Sequence, residues 1–337
     1  MKIACAIMIA LAAPVGAAVQ GIVHNGTTGR PASGVEVALM KLDQGMIPAG
    51  AATTDANGRF RFETSIEGTH GLLRAQFDGV TYTEIVTPGS RTGDIQLAVF
   101  HASKAALSPE NRVMIVEPSG GEIVISESYL FRNQSQPPVT YMGGGHGTLR
   151  FYVPAAAKGG AQVTVTGTGG VPLRLSAEKT AEADVFKVDY PIKPGENRID
   201  VGYVVSYRSG QELVGRTLYP EVATRIAVPD GVTLAGEALQ PLGQEPQTKA
   251  SIFSIARAEF RLTVTGDGRL PRDRASGEEE GGRIAAAPAA VYRQQWVIFG
   301  FAAVILLLGF YALYAASGKP APAAPNAPKS PGKKRKS

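Results

Sequence analysis

Thr54-Asp55-Ala56-Asn57-Gly58-Arg59-Phe60-Arg61-Phe62-Glu63 is the stretch that decides the fold. Asp55 can accept hydrogen bonds from the backbone amides just ahead of it, and Gly58 can take a positive φ, so the first half reads as a hairpin turn. The second half alternates. Phe60 and Phe62 share one face, and Arg59, Arg61 and Glu63 share the other. A segment that is apolar on one side and charged on the other covers a core from one side only, as a strand in a sandwich layer does.

Working outward, the same pattern recurs. Val35, Val37 and Leu39 share a face, and seven strands are predicted at 20–24, 35–42, 51–54, 59–63, 72–77, 81–86 and 94–100. A second set is predicted at 122–131, 148–153, 162–167, 185–190, 197–206, 217–219, 224–228 and 261–265. Breakers such as Gly143-Gly144-Gly145, Pro154, Gly169-Gly170, Pro194-Gly195 and Asp230-Gly231 punctuate them. Short apolar runs with frequent turns are the mark of an all-β chain, and the length of the folded region suggests two β-sandwich domains, 19–102 and 103–265.

Within the first of these, Gly21-Ile22-Val23, Thr28-Gly29-Arg30-Pro31, Gly34-Val35-Glu36-Val37 and Thr54-Asp55-x-Asn57-Gly58-x-Phe60-x-Phe62 follow one another in order. That ordered set resembles the carboxypeptidase regulatory-like family and covers about a quarter of the chain. The resemblance implies a transthyretin-like (prealbumin-like) β-sandwich that serves as an accessory module without catalytic residues of its own. One departure is visible. Where the family has a Pro-x-Gly-x-Tyr strand start, this chain has Ile66-Glu67-Gly68-Thr69-His70-Gly71-Leu72, which leaves the register of the fifth strand open. The second domain is expected to be a fibronectin-like or immunoglobulin-like sandwich. Its segments Tyr129 through Asn133, Phe151 through Pro154 and Pro191 through Glu196, together with Tyr203, are similar to juxtamembrane β-domains of bacterial envelope proteins, a likeness that implies no activity.

Both ends of the chain are apolar. Residues 296–316, WVIFGFAAVILLLGFYALYAA, carry no charge. As a helix rising ~1.5 Å per residue they would cover about 32 Å, close to the ~30 Å of a bilayer's hydrocarbon core, so a transmembrane helix is predicted. Beyond it lie Lys319, Lys329, Lys333, Lys334, Arg335 and Lys336 without an acid, which assigns the tail 317–337 to the cytoplasm. Trp296 is expected at one interface, and Lys333, Lys334, Arg335 and Lys336 are expected to hold anionic headgroups. At the other end, Met1-Lys2, an apolar run and Gly16-Ala17-Ala18 read as a secretory signal peptide, 1–18. Residues 266–295, rich in Gly, Pro and Glu, are predicted to be a flexible stalk.

These assignments exclude several chemistries. The chain's single cysteine, Cys5, leaves with the signal peptide, so thiol catalysis and Cys-ligated metals are not expected. The +5 formal charge belongs to the tail and Lys2, and the exported part carries a slight acidic excess, which is no footprint for nucleic acid. No nucleophile elbow, His-Glu-x-x-His helix or nucleotide fingerprint occurs, and His24, His70, His101 and His146 lack metal-type spacing. Asp55-x-Asn57-Gly58 begins like a calcium loop, but Thr64 stands where the bidentate Glu belongs. Tyr141-Met142-Gly143-Gly144-Gly145-His146-Gly147 offers a thioether and an imidazole, too few for a copper shell. Neither a cofactor nor an enzymatic activity is expected.

The remaining reading is a non-enzymatic, single-pass protein of a bacterial inner membrane. Its exported, periplasmic sandwiches would bind or scaffold a protein partner. Candidate contact residues are Asp55 and Asn57 on the hairpin and Tyr141, Met142 and His146 on the glycine-rich loop. The alternatives are a glycan, which would stack on exposed Tyr82, Tyr141 or Tyr207, and a role as accessory subunit of a membrane enzyme or transport complex. Asn25-Gly26-Thr27 and Asn133-Gln134-Ser135 also match glycosylation acceptors.

Overall fold

The computed structural model describes residues 19–271, apart from 44, 67, 89–91, 170, 238 and 256. The predicted signal peptide, the stalk from 272 onward, the span 296–316 with Trp296, and the tail with Lys333, Lys334, Arg335 and Lys336 lie outside the described residues. Among the described residues no helix is long and apolar enough to cross a membrane. Strands dominate, and the described residues are almost entirely β, as their alternation predicts.

The smaller sandwich is built from β1 (Val19–Asn25), β2 (Arg30–Pro31), β3 (Glu36–Leu42), β4 (Met46–Thr53), β5 (Arg59–Phe62), β6 (His70–Phe77), β7 (Val80–Val86) and β8 (Ile95–Val99). One layer has β1 at its centre, antiparallel to β2 and β5 and parallel to β8. The other runs β4-β3-β6-β7, all antiparallel. Val19 and Val23 of β1, Val37 and Leu39 of β3, Phe60 and Phe62 of β5, Leu73 and Ala75 of β6, and Leu97 and Val99 of β8 fill the space between the layers. Burying each of the larger side chains stabilises by about 1.5–3 kcal/mol. The register left open in sequence is set by Leu39 opposite Leu73, and the fifth strand begins at His70, two residues earlier than predicted.

A short link, β9 (Ala102–Ser103), leads to the larger sandwich. Its strands are β10 (Asn111–Ser119), β11 (Glu122–Asn133), β12 (Thr140–Tyr141), β13 (Leu149–Tyr152), β14 (Ala157–Thr166), β15 (Pro172–Leu175), β16 (Glu178–Lys179), β17 (Val185–Val188) and β18 (Gly195–Ser206). There follow β19 (Gln211–Arg216), β20 (Ala223–Val228), β21 (Val232–Ala235), β22 (Leu239–Gln244), β23 (Ser251–Ile255) and β24 (Glu259–Gly266). One eight-stranded sheet, β15-β14-β18-β11-β10-β20-β23-β22, forms a whole layer. Two three-stranded sheets, β13-β17-β16 and β19-β24-β21, cover its inner face. All three share one core, in which Ile125, Phe131, Ile199 and Ile226 meet Phe151 and Leu149 from one small sheet and Leu262 and Val264 from the other. The predicted strand at 217–219 is irregular, and the strand is β19, just before it.

Two charges stand at inward positions of the eight-stranded sheet. Glu127 accepts from Arg112 Nε at 3.1 Å and Nη2 at 2.7 Å, from the Tyr129 hydroxyl at 2.5 Å and from the Tyr203 hydroxyl at 3.0 Å. The Arg112 guanidinium also lies 5.5 Å from the Tyr129 ring centroid. Burial alone would lower the pKa of Arg112, and the adjacent Glu127 carboxylate reverses this and holds it above its ordinary value. Burial, followed by the charge of Glu127, pushes the Tyr129 and Tyr203 hydroxyls well above the usual phenol range.

The beginning of the predicted flexible stalk is part of the fold. Gly268 N–H donates to the Pro118 carbonyl at 2.8 Å and Leu270 N–H to Glu117 Oε1 at 2.7 Å. Glu117 is buried near the end of β10, and the Leu270 N–H gives it a hydrogen-bond partner there.

Candidate functional site

The two sandwiches lie within one compact unit, and the richest polar arrangement outside the buried ion pair is the seam between them. β9 pairs in parallel with β12, with Thr140 opposite Ala102. Thr140 N–H donates to the His101 carbonyl at 2.9 Å, and Met142 N–H donates to the Ser103 carbonyl at 2.8 Å. On its other side Tyr141 exchanges two backbone hydrogen bonds with Ile192, at 3.0 and 2.9 Å. Alternation then sends neighbouring side chains in opposite directions: Tyr141 packs against the larger core and Met142 against the smaller.

Side chains reinforce this pairing. Tyr82 of β7 donates its hydroxyl proton to the Phe100 carbonyl at 2.8 Å, which leaves the Thr140 hydroxyl as donor in the 2.8 Å contact between the two. Lys193 Nζ sits 5.1 Å from the Tyr82 ring centroid. Burial raises the pKa of Tyr82 and lowers that of Lys193, so both favour their neutral forms more than they would in water. Thr27 Oγ1 accepts from His101 N–H at 2.9 Å and donates to the Pro138 carbonyl at 2.6 Å. His101 Nδ1 is 2.7 Å from Asp78 Oδ2, and its Nε2 is 3.0 Å from Asn25 Nδ2. Asn133 closes the seam's far side by donating to the Val139 and Ile192 carbonyls.

The predicted contact residues are distributed over three places. Tyr141 and Met142 are half-buried and committed to the two cores, whereas His146 stays exposed at the end of the 3-10 turn Gly144–His146. The loop is tight: Gly143 has a φ of +70°, and a Cβ there would lie 2.6 Å from the Gly147 backbone. Asp55 Oδ1 is taken by the N–H groups of Asn57 at 2.9 Å and Arg59 at 2.8 Å, and Asn57 itself is exposed. Gly58 has a φ of +73°, and a Cβ there would meet the Val23 carbonyl at 2.4 Å. The turn is not the predicted hairpin: the strands it joins, β4 and β5, pair in different sheets, so it carries the chain from one layer of the sandwich to the other. Beside this turn runs a groove of about 450 Å³ lined by Gln20, Asp55, Arg59, Arg61 and Asp94, among others.

Residues read otherwise in sequence turn out to belong to the seam. Asn25 and Asn133, the two glycosylation candidates, are buried, and each shapes a turn, Asn25 by accepting from Thr27 and Thr28 N–H and Asn133 from Ser135 N–H. Nothing local in the sequence marks His101 for this role, because Asp78 and Asn25 lie 23 and 76 positions away. Among the described residues, no group of three or more His, Cys, Asp or Glu side chains could hold a metal ion. None of the tyrosines on which a glycan is expected to stack is fully exposed. Tyr82 and Tyr207 are buried, Tyr141 is half-buried, and no described Phe or Tyr is exposed.

No family model and no curated protein matches the chain. Among solved structures it is similar to a mutant of the M1 zinc metallopeptidase from Deinococcus radiodurans, at 11% identity and a TM-score of 0.26. The match covers 48% of this chain and 42% of that one. A two-domain M1 zinc metallopeptidase mutant bound to L-tryptophan matches at 10% identity and a TM-score of 0.26, over 48% of this chain and 43% of that one. The chain thus spans less than half the length of these structures, and the likeness carries no argument about activity.

Proposed function

We propose that this chain is a non-enzymatic, single-pass membrane protein of the bacterial envelope, and that its two exported sandwiches bind or scaffold a protein partner. The regulatory-like character of the first sandwich and the membrane anchor are parts of this reading and rest on the sequence features above. Its chief support is where exposed apolar surface occurs. Met46 and Ile47, 64% and 51% exposed, are on β4 at the edge of one sheet, and Leu173 and Leu242, 51% and 56% exposed, are on β15 and β22 at the two edges of the eight-stranded sheet. Aliphatic side chains beside unpaired backbone suit an extended peptide that adds a strand, whereas a sugar needs an aromatic face. Pro48, Pro172 and Pro241 interrupt the same edges, which limits pairing to short segments and guards against sheet-to-sheet aggregation.

Crosslinking in native membranes through a photoreactive amino acid at position 47, 173 or 242 tests the proposal. A discrete protein adduct at one of these edges is the expected result. Adducts to lipid alone, or retention of the chain on polysaccharide with no protein adduct, would overturn it.

A further inference from the structure

Hydrogen-bond directions at the seam fix which form of His101 the closed seam requires. Asn25 Oδ1 accepts from the N–H groups of Thr27 at 2.9 Å and Thr28 at 3.2 Å. Backbone donors cannot turn round, so the amide orientation is set and Nδ2 is the atom that faces the imidazole. Nδ2 only donates. His101 Nε2, 3.0 Å away, must present its lone pair, and the ring proton therefore sits on Nδ1, where Asp78 Oδ2 accepts it at 2.7 Å. An imidazolium carries N–H on both nitrogens. A second proton would set N–H against N–H at Asn25, and Asn25 cannot flip without losing its bonds to Thr27 and Thr28.

The same residue joins the sandwiches through its backbone. His101 N–H reaches Thr27 Oγ1, Thr27 passes its own proton to the Pro138 carbonyl of the larger sandwich, and the His101 carbonyl accepts from Thr140 N–H. The turn that Asn25 shapes is thus the turn that presents Thr27 to Pro138.

We propose that this corner is a pH-sensitive latch: the seam closes around neutral His101 and loosens at Asn25 and Thr27 when the imidazole takes up a second proton. Among the described residues the partners of the ring are Asp78 from the turn after β6, Asn25 from β1, and the Phe77 ring, with centroids 5.2 Å apart. The larger sandwich meets this corner with uncharged groups, the Pro138 carbonyl and Thr140, and its Lys193 lies over Tyr82. Asp78 holds the cation and opposes release; Asn25 rejects it and drives release. The contact with Asn25 is made by the neutral ring alone, so it is present where His101 is neutral and is lost when Nε2 takes the second proton.

The test measures the distance between sandwiches and does not depend on any partner. In the full chain with Cys5→Ser, spin labels go on Thr83→Cys and Arg225→Cys, both exposed and one in each sandwich. Between about pH 8 and 5, the range in which imidazoles respond, the inter-label distribution is expected to broaden on acidification. His101→Gln removes the response. Asn25→Asp keeps the acceptor for Thr27 and Thr28 and offers a second acceptor to Nε2–H, so its distribution stays narrow in acid. Equal broadening of the parent and Asn25→Asp, or no broadening of the parent, would overturn the latch. So would a nitrogen NMR spectrum of the parent that puts the neutral-pH proton of His101 on Nε2.

Discussion

Arg112 Nη2 lies 2.7 Å from Glu127 Oε2 with the two side chains 2% and 1% exposed, a desolvated ion pair facing the core of the larger sandwich from adjacent strands. Removing both charges from water costs about as much as their attraction returns, so the pair as a whole adds little, but either partner alone is an uncompensated buried charge. Glu127→Gln is therefore expected to destabilise the chain by about 3–5 kcal/mol. Arg112→Met with Glu127→Gln should cost clearly less than the single change, because no buried charge remains and the amide still offers the Tyr129 and Tyr203 hydroxyls a partner. Urea unfolding of the full chain in detergent, followed by circular dichroism, reads both. A double replacement worse than Glu127→Gln would count against this account.

The phenols of the same cluster dictate the alkaline limit. The folded state binds the hydroxyl protons of Tyr129 and Tyr203 more tightly than the unfolded state does, because burial penalises the phenolate. This stabilisation is complete below the unfolded value of about 10 and falls as pH rises above it toward the folded values. Urea midpoints measured between pH 8 and about 11 should decline from about pH 10 onward. In Tyr203→Phe, which has one fewer raised phenol, the midpoint starts lower but declines less steeply. A midpoint that stays flat to the end of that range would contradict the prediction.

The contact between Tyr82 and Thr140 gives the seam a measurable coupling. Tyr82→Phe leaves the Phe100 carbonyl and the Thr140 hydroxyl each short of a partner, and Thr140→Val leaves the Tyr82 hydroxyl with one. Each change is expected to cost about 1–3 kcal/mol, and the pair to be non-additive by about 0.5–3 kcal/mol. A double-mutant cycle on unfolding free energies measures the interaction, and strict additivity would mean that the seam carries no energy through this bond.

What was legible in the sequence was alternation. β3, β5 and β11 announce themselves because Val37 and Leu39, Phe60 and Phe62, and Ile123 and Ile125 occupy inward positions with polar or smaller residues between them. β10, at the middle of the large sheet, was not predicted, since its first inward residue is Arg112 and its apolar residues fall on both faces. β19 fails for a different reason: one of its two buried positions is Gly215, whose missing side chain is replaced by the Phe260 ring. The seam was beyond reach. Its bonds join residues such as Thr27 and Pro138, 111 positions apart, and the sequence marks such partners only as ordinary loop residues. Tyr141 and Met142 were singled out as contact residues, yet nothing local indicates that one would enter each core.

Partner binding through the sheet edges separates from stability. Ile47 on β4 and Leu242 on β22 are more than half exposed and belong to neither core, so replacing either with Lys leaves both cores intact. Such a surface change is expected to shift the unfolding free energy by no more than about 0.5 kcal/mol. An added strand, however, would have to bury that lysine's charge against its own side chains or leave the edge, and like the lysines that guard natural edges it should block pairing. Ile47→Lys, Leu173→Lys and Leu242→Lys, each compared with the parent chain for protein crosslinked in native membranes, identify which edge is used. Loss of the adduct in one variant, with its unfolding midpoint unchanged, is the expected pattern. Unchanged adducts in all three would move the contact surface away from the edges, toward the groove beside Asp55 and Arg59 or the exposed turn at His146.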